Sequence, residues 1–449
     1  MSVEIGEIYE IKITDISKDG EGIGKVNGFT LFVKNMLPGE IAEVRVSKTY
    51  KNFGFAEPVK HITMSSKRIA PPCKHYYNCG GCSTMHLDYS EGLKYKAASI
   101  ASNLKRIGKV SSLGNVNITP SHEIFRYRNN MQFPVGYDKN GAYLGLHSLK
   151  SHIVTAIDDC LLANDSATEI IQIVNEFLNE NKITAYDPQT NRGIMRHISY
   201  RTNIHQDEKM ITFVINSDGL KNSEILAKRL SAVSGMKSIN ININKKPNAP
   251  TFGPVTKNIW GETFITDSIG KFKFRVSPDA FFQVNPYVTE EMYKKVLEFL
   301  NPTKNDEIID AYCGAGTISI FIADYVKKVT GIEISSDSVK NATENAVLND
   351  ISNVEFIKGD AAYILLDLRK SKRPTAIIVD PPRKGLSNEM VNAIISSKIK
   401  KIVYVSCDSA TFARDIKQFN SADYLLKKIE AFDMFCHSTH AETVSLLEL

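Results

Sequence analysis

The chain has 449 residues, 43% of them hydrophobic and 23% charged, and its 55 basic and 50 acidic side chains leave a net charge of +5. That length exceeds what one hydrophobic core sustains, so two or three domains are expected, and the composition excludes a disordered chain. No apolar run is long enough to span a bilayer, and residues 1–6 show neither a basic nor an apolar signal region, so the expected location is the cytoplasm. The modest charge permits a nucleic-acid partner through local patches without demanding one.

Short β-like runs open the chain at residues 8–13, 20–26, 29–33 and 41–46, separated by glycine turns, which predicts a small closed β-barrel. Lys48, Tyr50, Lys51 and Phe53 follow, mixing charges and rings that suit phosphate contact and base stacking or, equally, a solvated barrel edge. From about residue 62 the character changes. Cys73, Cys79 and Cys82 lie within ten residues, with Gly80 and Gly81 allowing a tight backbone, and seven unevenly spaced cysteines favour metal ligation or catalysis over disulfides. Cys160 is the natural fourth ligand, with His75 and His86 behind it, and spacing does not separate zinc from an iron–sulfur cluster.

A helix is expected over 91–107, followed by an α/β mixture to residue 255 with no evident topology. Residues 125–130 and 192–197 interleave Arg with Tyr, Phe or His, patterns able to clamp phosphates or simply to form a basic surface. The Asn-rich stretch 240–248 reads as an exposed hairpin or loop. In the last third, Asn285-Pro286 opens a helix. Strands at 307–311, 329–334, 354–357, 376–379 and 401–405 then alternate with helices, and two close strands at 424–432 and 443–447 finish the chain. This predicts an α/β fold, a doubly wound parallel sheet closed by an antiparallel hairpin.

Chemistry is expected where those strands end. Gly314 and Gly316 follow the first strand and let a ligand approach the backbone; Ser319 stands where a dinucleotide fingerprint has its third glycine, which disfavours a pyrophosphate cofactor. Glu333 and Asp360 end the next two strands, suited to ribose hydroxyls and an adenine amino group. Asp380-Pro381-Pro382-Arg383 ends the fourth, and Cys407 leaves the fifth, as a candidate nucleophile or one more buried thiol.

Six motifs in order along the chain, the cysteines 73–82, Ser277 to Asn285, Asp310 to Thr317, Val379 to Gly385, Tyr404 to Asp408 and His437 to Val444, resemble the RNA (uracil-C5)-methyltransferases. The resemblance implies a class I S-adenosylmethionine (SAM) methyltransferase domain over 256–449, an RNA-binding TRAM-like barrel over 1–61, and a central domain over 62–255. There Cys73, Cys79, Cys82 and Cys160 hold a [4Fe–4S] cluster. It further implies cofactor contacts at Gln283, Tyr312, Gly314, Glu333, Asp360 and Asp380, Cys407 as the nucleophile and Glu442 as the base. Ser409 departs from the proline many members carry, which changes turn stiffness after the nucleophile. Barrel and cysteine cluster together resemble members that act on 23S rRNA, and the chain is expected to work as a monomer away from membranes. The alternatives are a tRNA uracil methyltransferase, an amino-group methyltransferase acting through Asp380-Pro381-Pro382, and a non-catalytic RNA-binding protein. Arg383 in place of an aromatic disfavours the second.

Overall fold

The structure, a computed structural model, describes residues 3–111, 114–247, 251–368 and 374–449. At the N-terminus β1 (Ile8–Ile16), β2 (Gly22–Val26), β3 (Phe29–Val33), β4 (Ile41–Thr49) and β5 (Phe53–Thr63) close into a barrel in the order β1-β2-β3-β5-β4. Alternate residues such as Ile11, Ile13, Leu31, Val33, Val44 and Val46 fill its interior, as period-two patterning requires. Strand β5 was not foreseen. Pro58 and three register shifts against β4 blur its alternation, and the expected basic–aromatic cluster is its leading edge. There the Tyr50 and Phe53 rings stack at 4.9 Å, and the Lys48 ammonium lies 4.9 Å from the Tyr50 ring centre.

Helix α1 (Tyr89–Arg106) starts two residues before the expectation because Asp88 caps it, accepting from the Ser90 and Glu91 amides. With the short strand β6 (Asn117–Thr119) it departs from the chain order and serves the C-terminal sheet. Ile100 and Leu104 join that sheet's core. Lys96 pairs with buried Asp433 and donates to the Phe435 carbonyl at 3.0 Å.

The unresolved α/β mixture is one seven-stranded sheet of β7 (Asn130–Asp138), β8 (Gly141–His147), β9 (Val154–Ala156), β10 (Met195–Thr202), β11 (Lys209–Ile215), β12 (Met236–Ile243) and β13 (Val255–Gly261), ordered β13-β12-β11-β10-β7-β8-β9. Helices α2 (Ser166–Glu180) and α3 (Ser223–Leu230) cover one face, where Phe133, Ile198, Phe213 and Ile239 meet Ile170, Val174, Phe177 and Leu226. The expected loop at 240–248 is corrected in part. Residues 240–243 lie inside β12, and Asn248 is outside the described residues. Ile239 and Ile241 enter the core while Asn242 on the other face donates to the Gly253 carbonyl (3.0 Å) and Thr256 Oγ1 (2.8 Å). Asn–Ile alternation is a strand pattern whose polar half finds partners. The expected boundary at 255/256 falls within β13, which pairs antiparallel with β12.

After the hairpin β14 (Ile265–Ile269) and β15 (Phe272–Val276), α4 (Pro286–Leu300) leads into the last unit. It comprises β16 (Glu307–Ala311), α5 (Thr317–Ala323), β17 (Lys328–Glu333), α6 (Ser336–Leu348), β18 (Val354–Lys358), α7 (Ala361–Leu368), β19 (Ala376–Val379), α8 (Asn388–Ser397), β20 (Lys401–Ser406), α9 (Ser409–Asn420), β21 (Leu425–Phe432) and β22 (Glu442–Glu448). The sheet runs β18-β17-β16-β19-β20-β22-β21-β6, with β22 antiparallel to both neighbours. Its strand order reverses between β16 and β19, so the crevice outside their carboxyl ends is where a ligand belongs. No helix among the described residues is long and apolar enough to cross a membrane.

Candidate active site

Strand β20 is buried throughout its last five residues and delivers Cys407 to the mouth of this crevice. Asp408 then caps α9, its carboxylate accepting from the Ala410 (3.0 Å) and Thr411 (2.9 Å) amides, which turns the chain sharply after the thiol. Ser409 accepts from Asn103 Nδ2 of α1 at 2.8 Å, a bond that a proline there would forgo. Glu442 opens β22 and is 3% exposed. In the β20–β22 ladder Ser406 pairs with Thr443, whose hydroxyl donates to the Ser406 carbonyl at 3.2 Å, so Glu442 and Cys407 leave the ladder at the same level.

Asp380 leaves β19 one strand away, followed by a loop strapped onto α9. Thr411 donates to the Arg383 carbonyl (3.1 Å), and Arg414 to the carbonyls of Lys384 (2.9 Å) and Leu386 (3.0 Å). Gly385, at φ 72°, has no room for a Cβ, which would stand 2.6 Å from Asp415 Oδ2. The strap places the Arg383 charge among the acids.

Burial is the main cause that pushes the Cys407 thiol up to about 12; Glu442 and Asp380 add to it, and Arg383 opposes it. Burial likewise holds Glu442 well above the usual carboxylate range, reinforced by Asp380 and again opposed by Arg383. Asp380 rises to about 7 through burial and the charge of Asp310. Asp310, fully buried on β16, also rises to about 7 through burial, although it accepts from Ser319 Oγ at 2.5 Å; its Oδ1 has no partner. Ser319 thus does what the glycine of a dinucleotide fingerprint cannot. Arg383 was read from sequence only as the loss of an aromatic, and its electrostatic part needed the acids' placement.

The Asp310 shift carries a stability prediction. Its carboxyl titrates near 3.8 when unfolded and near 7 when folded, so stability falls as pH rises across that window. Asp310→Asn removes the penalty. The gain in unfolding free energy is expected to approach about 4 kcal/mol at about pH 8 and to shrink towards about pH 5, read from melts of both proteins.

The expected cofactor residues line the same strand ends. Tyr312 holds a left-handed backbone (φ 67°), Gly314 has open space where a Cβ would be, and at Gly316 a Cβ would lie 2.7 Å from the Phe356 ring. Glu333 accepts from the Gly314 (3.2 Å) and Ser335 (2.8 Å) amides, fixing this loop. Asp360 caps α7 through the Ala362 amide at 2.9 Å, and buried Gln283 is anchored by its carbonyl, which accepts from Asn129 Nδ2 at 2.8 Å. Carboxylate acceptors at β17 and after β18, with acids that repel one another at β16 and β19, suit a nucleoside carrying a positive charge.

Cys73, Cys79, Cys82 and Cys160 line one cavity of about 350 Å³, and all four are free thiols. Among the described residues no His/Cys/Asp/Glu group is drawn together as a metal shell. What the structure shows is the four thiols on one cavity wall. Arg126 fixes the fourth thiol's turn, donating to Asp159 Oδ1 and the Cys160 carbonyl, each at 2.7 Å, so this arginine is not free for a phosphate. The Gly81 amide donates to Cys79 Sγ at 3.3 Å, and a Cβ on Gly80 would stand 2.7 Å from the Leu149 amide nitrogen. Burial and mutual repulsion push Cys79 up to about 11 and Cys82 well above the ordinary thiol range, a strain that a cationic group among four thiolates would relieve. His75 Nε2 is 2.7 Å from Asp158, and buried His86 pairs through Nδ1 with the Tyr76 hydroxyl while its Nε2 has no partner. The Ser83 (2.9 Å) and Thr84 (3.1 Å) amides donate to the His437 carbonyl, tying the cysteine loop to the segment that carries Glu442.

Between these two centres is a mouth of about 250 Å³, lined by Lys18 and Asp19 of the barrel, Gly81, Arg128, Arg383 and His440. Residues 88–449 match the family model of tRNA (uracil-5-)-methyltransferases, and residues 2–59 match that of the TRAM domain. An RNA methyltransferase of Halalkalibacterium halodurans is 37% identical over all of this chain and 98% of its own length; one of Clostridium tetani is 36% identical over 99% and 97%. The crystal structure of Pyrococcus abyssi tRNA (uracil-54, C5)-methyltransferase in complex with S-adenosyl-L-homocysteine superposes with a TM-score of 0.77 at 26% identity, covering 97% of this chain and 99% of that one.

Proposed function

This chain belongs to the (uracil-5-)-methyltransferase family of RNA-modifying enzymes, and from that premise we propose that it converts a uridine of 23S rRNA to 5-methyluridine with Cys407 as nucleophile and Glu442 as base. The arrival of Cys407 and Glu442 at one level of the β20–β22 ladder, beside Asp380, carries the proposal. Uracil C5 is a poor nucleophile. The Cys407 thiolate adds to C6, leaving an enolate whose electron pair at C5 forms the new carbon–carbon bond. SAM would supply the electrophilic methyl group, its sulfur–methyl bond breaking so that neutral S-adenosylhomocysteine leaves. Glu442 then takes the C5 proton, the C5–C6 double bond re-forms, and the thiolate leaves. Arg383 favours the ionised forms of both residues. Gln283, Tyr312, Gly314, Glu333, Asp360 and Asp380 hold the cofactor in this reading. The target base leaves its stack to reach the mouth, least costly in a loop.

The rRNA assignment, for a monomeric cytoplasmic enzyme, is supported by the barrel, the cysteine loop and the Arg383 loop lining one cavity, a broad grip for a large RNA. The family model and the Pyrococcus likeness favour tRNA as the second reading. Mapping 5-methyluridine in a strain lacking the protein separates them: loss from 23S rRNA with tRNA intact is expected, and loss from tRNA alone overturns the rRNA assignment. Cys73, Cys79, Cys82 and Cys160 hold a [4Fe–4S] cluster in the same reading. Anaerobically purified protein is expected to be brown with about four irons per chain, and a colourless protein with one zinc overturns it.

A further inference from the structure

The central sheet carries helices on one face only, and part of the other face is a groove of about 870 Å³. Pro134 of β7 and His197 of β10 are directly paired and line it, and Tyr143 lies flat across Gly136, where a Cβ would meet the ring at 2.5 Å. One wall is a preformed stack. The Arg196 guanidinium sits 4.1 Å from the Tyr186 ring centre and is held there by the Asn244 (2.9 Å) and Lys246 (3.1 Å) carbonyls. At the rim the Tyr137 ring is 68% exposed. The His197 Nε2 atom is buried without a hydrogen-bond partner. Burial and Arg196 depress this imidazole to about 4, so the ring that lines the groove stays neutral.

The groove is not isolated. It shares Gln132 and Leu146 with the cysteine cavity, and that cavity shares Gly81 and Arg128 with the mouth beside Arg383. The Gly80 amide donates to the His147 carbonyl at 2.9 Å, clamping groove and cysteine loop together. The cysteine cavity thus lies between the mouth and the groove and shares lining residues with each.

We propose that this groove is a second RNA subsite, taking one unpaired nucleobase of the substrate other than the methylated uridine, stacked on the aromatic wall beside the neutral His197 ring. Aromatic faces with a guanidinium match a nucleobase better than a peptide. The inference rests on RNA as substrate, not on which uridine is modified.

The test reads binding alone, with the full chain and no methyl donor. An unstructured RNA of about 12 nucleotides, carrying one 4-thiouridine at successive positions, is irradiated with the protein and the crosslinked peptides are identified. A crosslink to a peptide containing Tyr137, Tyr143 or Tyr186 is expected. The double substitution Tyr137→Ala with Tyr186→Ala should raise the Kd by about fivefold or more, while Tyr137→Phe with Tyr186→Phe keeps the original affinity. Absence of a groove crosslink, or an alanine effect below about twofold in protein that melts normally, overturns the subsite, including the case in which the groove serves a peptide.

Discussion

Cys407→Ala is expected to lower methylation by on the order of 10⁴-fold or more, because no other residue at the strand ends replaces a nucleophile whose addition makes C5 reactive. The same variant should form no adduct with RNA bearing 5-fluorouridine at the target, whereas the unaltered enzyme with SAM is trapped: fluorine stands where the proton to be abstracted would be. Denaturing gels read both outcomes. An enzyme that methylates RNA yet never forms the adduct would refute the thiol mechanism. The trap also separates the uracil reading from an amino-group methyltransferase, which needs no covalent step. Burial holds this thiol near 12 in the free protein, so the pH profile should rise above neutrality, with Arg383 as the fixed charge opposing burial. The substitution itself should cost little stability, since Cys407 is only partly buried.

Glu442→Gln is expected to separate the two halves of the reaction. Addition and methyl transfer remain possible, but the C5 proton has no base, so a covalent protein–RNA species should accumulate with ordinary RNA and turnover should fall by roughly 10²- to 10⁴-fold. If the variant loses turnover without accumulating any adduct, Glu442 acts before the proton is removed. Glutamine keeps the size of the side chain while removing a carboxyl that burial and Asp380 raise well above its ordinary range. Burial that raises the Glu442 carboxyl well above its ordinary range also costs stability as pH rises, as does burial of the Asp310 carboxyl.

These groups differ in how much of their role a sequence can carry. The five parallel strands announced themselves because each is a short, largely apolar run followed by a helical period, buried on both faces except at the edge strand β18; β16 and β19 have the predicted limits, and the others differ by one or two residues. Strand β5 and the Asn strand β12 escaped, since a proline with register shifts hides one alternation and buried amides disguise the other. Of the charged clusters expected to hold phosphate, Arg126 is spent on Asp159 and Arg196 on two carbonyls, commitments that lie 33 to 50 residues away along the chain.

Local order of residues determined the α/β class, the barrel, the cysteine loop and the strand-end positions of Cys407, Glu333, Asp360 and Asp380, because period, turn chemistry and the end of an apolar run are properties of neighbouring residues. Tertiary structure alone decided that β22 runs antiparallel beside β20 and so brings Glu442 level with Cys407. It also decided that Cys160 joins the three earlier thiols, that α1 and β6 serve the C-terminal sheet, and that Arg383 stands among buried acids. Each of these depends on the packing of segments far apart in the chain, and charge–charge coupling acts through the distances that packing sets.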